Sequence, residues 1–354
     1  MPPETTFIDY VRRRRWDLVR PDAPAAAADE VLALLGLDDA SLTRWAASGT
    51  VLVSLPHASP NVFDPRTRVC WYAGTLQRRQ ADPPHHLRVV LPHINFSDLG
   101  WRPYAWWYLD EDGKVRCHRQ FSRNKRRKHV TVASQPPMDV TLDGATPTDL
   151  LASRVARWGA DLAVSYMLVG SVVERAAGMV PGPVATYLPL SLLVSFVQEH
   201  AADSAAVTGE SGASLLAWCR LLTGQAQGRR VGPDGVLVEC PARQATVFDN
   251  YSNLAMLSLL GDCHVLGGAK MAGYWPHVQR RVDALRQVAP EDMRDPRVVV
   301  VPDADLLRFA GPSPAVAEQL ERQGVPYSQG LAVVEHGGFA ERTDPFEPVG
   351  SEAG

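Results

Sequence analysis

Three apolar runs in this chain stop in the same way. Val53-Ser54-Leu55-Pro56-His57 and Val89-Val90-Leu91-Pro92-His93 each carry an apolar segment into a proline and then a histidine, and Val298-Val299-Val300-Val301 runs into Pro302-Asp303. The first two are echoed further on, by Asn61, Phe63 and Asp64 after one and by Asn95, Phe96 and Asp98 after the other. Short valine-rich runs suit buried strands, and a proline ends each because it has no N–H to give to a ladder. In open α/β sheets ligands gather at the carboxyl ends of strands, so polar residues just past three such ends can converge. His57 and His93 are therefore candidate substrate-binding or proton-shuttling residues. The same prolines and polar residues also serve simply to stop strands.

The rest of the chain divides into three zones. Residues 1–48 are a helical lead-in, with leucine and alanine at helical spacing. Residues 49–145 are a strand-rich segment, with strands expected at 51–55, 69–72, 87–91, 104–109, 114–121 and 129–133. Asp110-Glu111-Asp112-Gly113 makes a hairpin turn between two of them, because Gly113 can take positive φ. Residues 146–354 are helix-rich, with helices expected at 146–177, 184–202, 214–222, 245–260, 275–287 and 314–323. Strands at 298–301 and 331–334 flank the last helix in the βαβ order of a parallel sheet. These patterns predict an α/β fold of mixed α and β structure: a central, largely parallel sheet flanked by helices, with a strand-rich N-terminal half. Residues from 49 onward can also form one continuous domain.

Composition excludes several function classes. With 354 residues, 45 % of them hydrophobic, the chain can bury one large core or two smaller ones. A formal net charge of −3 gives no global field to recruit nucleic acid or a membrane surface. The basic run Arg123-Asn124-Lys125-Arg126-Arg127-Lys128-His129, near Trp101, Trp106, Trp107 and Tyr108, is the one local polyanion feature. It suits a phosphate-bearing small molecule such as a coenzyme A ester better than nucleic acid. Cys70, Cys117, Cys219, Cys240 and Cys263 lie far apart, as reduced thiols of a cytoplasmic protein would, and offer no zinc spacing. His57, His85, His86 and His93 likewise lack the spacing of a helical metal pair, so neither a metal nor a cofactor is expected. No secretory signal follows Arg12 to Arg15, and the apolar stretch 187–197 is too short to span a bilayer. Nothing in the sequence specifies an oligomer.

An ordered trio supplies the chemistry. Ser211 stands in Gly209-Glu210-Ser211-Gly212-Ala213, Asp305 follows the valine run, and His336 opens His336-Gly337-Gly338-Phe339. A serine hydroxyl attacks only once a histidine removes its proton, and that histidine needs a carboxylate to set its tautomer. Small residues around the serine, here Gly209 and Gly212, would let substrate approach and backbone N–H groups hold an oxyanion.

The segment 209–213 resembles the nucleophile elbow of the α/β-hydrolase superfamily, in particular its carboxylesterase and hormone-sensitive-lipase-like groups. Residues 295–339 resemble the same groups through Leu307-Arg308, Gly324-Val325-Pro326 and the His-Gly-Gly-Phe step. The resemblance covers the C-terminal half only. It implies Ser211 as nucleophile, His336 as general base and Asp305, or alternatively Asp303, as orienting carboxylate. The chain departs from the pattern at Ala213, where glycine is usual, and has no His-Gly-Gly-Gly oxyanion loop before Ser211. Bland roles exist too: Ser211 suits a helix N-cap, Asp303 and Asp305 suit turn caps, and His336 suits a surface turn.

Two further likenesses are shorter. Residues 324–338, with Glu335, resemble the closing segment of adenylate-forming ligases, which implies magnesium at Glu335, although the lysine of their phosphate loop is missing. Tyr251-Ser252-Asn253 resembles a motif of penicillin-binding-protein-like esterases, but Ser171 is followed at the lysine position by Glu174. The expected function is a serine-dependent acyl hydrolase or acyltransferase acting on a small-molecule ester or thioester. An ATP-dependent acid-adenylating enzyme and a non-catalytic small-molecule-binding or assembly protein are the alternatives.

Overall fold

The structure, a computed structural model, describes residues 3–54, 73, 83–93, 105–110, 112, 115–119, 129–145, 147–176, 185–202, 220, 224, 226–268, 270–288 and 296–300. Three helices come first: α1 (Pro3–Arg14), α2 (Ala25–Leu34) and α3 (Asp39–Ala47). The Asp38 side chain starts α3 by accepting from Ser41 N. Strands β1 (Val51–Ser54) and β2 (His85–Val90) follow, then the hairpin strands β3 (Ala105–Leu109) and β4 (Val115–Arg119). Next come α4 (Pro147–Ala156), α5 (Leu162–Ala176), β5 (Ala185–Pro189) and α6 (Leu190–Ala202). A second hairpin, β6 (Gly228–Val231) and β7 (Leu237–Cys240), precedes α7 (Asn250–Ala255), β8 (Cys263–Gly267), α8 (Lys270–Val288) and β9 (Arg297–Val300).

Five strands form one parallel sheet in the order β5-β2-β1-β8-β9. Every residue of β1, β2 and β5 is buried, because helices cover both faces. The protein is thus a mixed α/β fold with a central parallel sheet flanked by helices. On one face Trp45 of α3 stacks on His85 at 5.9 Å, and His85 Nε2 meets Thr186 Oγ1 at 2.9 Å. Phe7 of α1 packs edge-on to Trp45 and, at 5.1 Å, to Phe196 of α6. On the other face α5 brings Glu174 to Arg88 of β2.

The helices of the lead-in are integral to this core. Leu35 O accepts from Tyr187 N at 2.8 Å and Gly36 O accepts from Thr186 Oγ1 at 2.9 Å, so the α2–α3 turn covers the outer edge of β5.

Several expected elements are corrected. The helix expected over 184–202 begins as β5, and only from Leu190 is it helical. The helix expected over 146–177 breaks at Trp158-Gly159: Gly159 bridges Val19, and Asp161 restarts the helix by accepting from Val164 N at 2.9 Å. The strand expected over 129–133 reduces to a bridge between Val130 and Val236, followed by a 3-10 turn. Residues 245–260 are helical only from Asn250, and they end in a 3-10 turn. Strands β6, β7 and β8 were absent from the sequence reading, and β8 occupies a central place. The valine run is the second strand of a βαβ unit, after β8 and α8. The elements expected at 69–72, 314–323 and 331–334, and most of 214–222, lie outside the described residues. Among the described residues, no helix is long and apolar enough to cross a membrane.

Candidate functional site at the carboxyl edge of the sheet

From β1 the chain moves outward to β2 and β5, then returns to the other side of β1 with β8 and β9. The order reverses between β1 and β8. In open parallel sheets such a reversal leaves a crevice at the carboxyl ends, where ligands bind. The three proline-terminated runs of the sequence are β1, β2 and β9 of this one sheet, all pointing the same way. Leu55-Pro56-His57, Leu91-Pro92-His93 and Val301-Pro302-Asp303 therefore each follow a carboxyl end on the same edge.

Of these residues, His93 is described. It is half-buried, its Nδ1 has no hydrogen-bond partner among the described residues, and burial lowers its pKa to about 4. The ring is neutral at pH 7 and can offer one donor and one acceptor.

At the end of β8, Gly267 and Gly268 lead into α8. A Cβ on Gly267 would stand 2.8 Å from Met271 Cβ, so glycine is what lets the helix start this close to its strand. Met271 N donates to Gly268 O at 2.8 Å. The amino end of α8 and Lys270 thus sit beside the β1–β8 reversal, a place that favours negative charge.

Below this edge lies a buried polar layer. Ser54, Arg88 and Tyr187 stand level on three adjacent strands. Ser54 Oγ lies 2.9 Å from His86 Nε2, which is nucleophile-to-base spacing. Both residues are fully buried, however, and among the described residues His86 Nδ1 has no partner where a triad would place a carboxylate. Burial, with the charges of Arg88 and His85, lowers the His86 pKa to about 3. This pair satisfies polar atoms inside the sheet and is closed to substrate. Arg88 Nε donates to Glu174 Oε2 at 3.0 Å, and Tyr187 donates to the same oxygen at 2.7 Å. Burial, then the Glu174 carboxylate, push the Tyr187 hydroxyl well above its ordinary pKa.

Beside Pro92 and Pro189, over the carboxyl ends of β2 and β5, a cavity of about 200 Å³ opens between α1, the start of α5 and the start of α6. Arg14, Asp161, Ser191 and Ser195 line it. The sequence reading did not single out these residues. The signal was faint: Pro189 interrupts a leucine-rich segment, and two serines follow at helical spacing.

The expected catalytic residues Ser211, Asp305 and His336, the alternative Asp303, and His57, Gly209, Gly212 and Glu335 lie outside the described residues. In the chain, Ser211 comes between α6 and β6. The esterase-like Tyr251-Ser252-Asn253 is a helix start: Asp249 accepts from Tyr251 N and Ser252 N, and Asn253 exchanges hydrogen bonds with the Phe248 backbone at 3.1 and 2.9 Å. Ser171 Oγ donates to Leu168 O inside α5, and Glu174 is paired with Arg88. Those residues are spent on structure. Among the described residues no group of His, Cys, Asp and Glu could hold a metal ion. Cys240 and Cys263 are free thiols.

No family model matches this chain, and no curated protein or solved structure matches it either.

Proposed function

We propose that this protein is an enzyme for a small-molecule ester or thioester, hydrolysing it or transferring its acyl group, with the substrate held at the carboxyl edge of the parallel sheet. One observation carries the location: the strands that lead to His57, His93 and Asp303 are parallel members of a single sheet whose order reverses at β1. In this reading Ser211 attacks the acyl carbon and His336 takes its proton. Asp305, or Asp303, orients that histidine. Support for the carboxylate comes from β9, the strand that immediately precedes it.

The test is intact mass after exposure to a fluorophosphonate that modifies only activated serines. A single adduct on the wild-type protein and none on Ser211→Ala is expected. A wild-type protein that stays unmodified overturns the serine mechanism.

A second reading is favoured by His93, which follows β2 closely and carries a ring that burial keeps neutral at pH 7. In it, His57 and His93 carry out acid–base chemistry or bind a ligand without a covalent step. Turnover or binding that survives Ser211→Ala but is lost in His57→Gln and His93→Gln would select it.

A further inference from the structure

The cavity over β2 and β5 has walls of two kinds. Leu18, Val164 and Leu192 are apolar, whereas Arg14, Asp17, Asp161 and Ser191 bring both signs of charge and a hydroxyl. We propose that it binds a small zwitterion, an α-amino acid with a branched apolar side chain, the ammonium at Asp161 and the carboxylate between Arg14, Ser191 and the amino end of α6.

Three features specify this ligand. Asp161 lies at the start of α5 with Oδ1 on Val164 N, and among the described residues no cation pairs with it. Burial pushes its carboxyl up to about 6, with the N–H groups of Val164 and Ala163 pulling back. A largely desolvated carboxylate without a cation is costly, and a ligand ammonium supplies one.

Ser191 and Leu192, which also line the cavity, belong to the first turn of α6, a helix of 13 residues whose first N–H groups have no intrahelical acceptor. Arg14 pairs with Asp17, which also lines the cavity, through Nε at 2.9 Å; a guanidinium carries five N–H donors, more than one carboxylate engages.

Size is the third feature. A cavity of about 150 Å³ already holds benzene, so this one has room for roughly eight to ten heavy atoms, the size of valine or leucine. The inference stands apart from Ser211, and fluorophosphonate labelling does not report on it.

The test is calorimetric titration of the full chain with L-leucine, N-acetyl-L-leucine and L-leucinamide. L-leucine should bind, and each blocked compound should bind at least about tenfold more weakly, because each lacks one charge. Asp161→Asn, which keeps a residue that caps helices well, and Arg14→Gln, at the rim, should each weaken L-leucine at least about tenfold without lowering the thermal melt. No L-leucine binding up to roughly 10 mM, equal binding of N-acetyl-L-leucine or L-leucinamide, or unchanged affinity in both variants would overturn the proposal.

Discussion

Tyr187 on the edge strand β5 donates its hydroxyl to Glu174 Oε2 at 2.7 Å, and Arg88 on the neighbouring strand β2 grips the same carboxylate through Nε and Nη2. Arg88 and Glu174 are each 2 % exposed and Tyr187 is 1 % exposed, so helix α5 is locked to two strands by charges sealed from water. Such a pair repays its desolvation only when both partners are present.

Glu174→Gln keeps an acceptor for Tyr187 but strands the guanidinium, and should cost about 3–5 kcal/mol. Replacing both members, as in Arg88→Leu with Glu174→Leu, should recover a large part of that loss, because the buried charges are gone. Urea unfolding of the two variants checks this. A double variant no more stable than the single one would show that the ion pair is not the source of the cost.

Gly36 has a φ of +65°, and a Cβ there would stand 2.2 Å from Ala185 O. Gly36→Ala should therefore destabilise by at least about 2 kcal/mol, by adding backbone strain to a clash against the edge of β5. Gly49 has nothing within 4 Å of a Cβ, so Gly49→Ala should change stability by less than about 0.5 kcal/mol. Equal effects in thermal denaturation would refute the edge-covering role of the α2–α3 turn.

Acid should unfold this protein with a defined slope. Burial lowers His85 and His86 to about 3, while an unfolded histidine stays at its ordinary 6.5. Below that ordinary value the unfolded chain takes protons the folded one refuses, so stability is lost as pH falls toward 3. His93, lowered to about 4, acts in the same direction. Asp161, raised to about 6, acts oppositely: its contribution is present below the ordinary carboxylate value and is lost as pH rises through 6. Those last two nearly cancel between about pH 4 and 6. The two strand histidines then set a fall of about 2.7 kcal/mol per pH unit. His86→Gln should halve the slope, and Asp161→Asn should steepen it by about 1.4 kcal/mol per unit. Chemical denaturation at several pH values measures both; a flat profile would contradict the buried neutral histidines.

Much of the sheet was legible because β1, β2 and β9 are valine-rich and end in or just before a proline step. Strand β5 was not, since Ala185-Thr186-Tyr187-Leu188 joins a leucine-rich helix without a polar break, and periodicity cannot divide two buried segments. Strand β8 was missed for a related reason: Cys263-His264-Val265-Leu266 has little β-branched content and follows an apolar turn. The histidines past the strand ends could be found by eye. Arg14, Asp161 and Ser191 could not, because 176 positions separate the first from the last and no local pattern joins them.

By itself the sequence determined that the apolar runs of β1, β2 and β9 are strands and where a proline follows each, since these depend on neighbours a few residues away. Tertiary structure alone decided the strand order. Val51 of β1 pairs with His85 of β2 on one side and with Cys263 of β8, far along the chain, on the other, and Ser54, Arg88 and Tyr187 come level across three strands. The physical reason is that backbone hydrogen bonding is the same for any pair of strands. Which strands meet is chosen by the helices that must fit over them and by the few buried polar groups, such as Arg88 and Glu174, that must find each other.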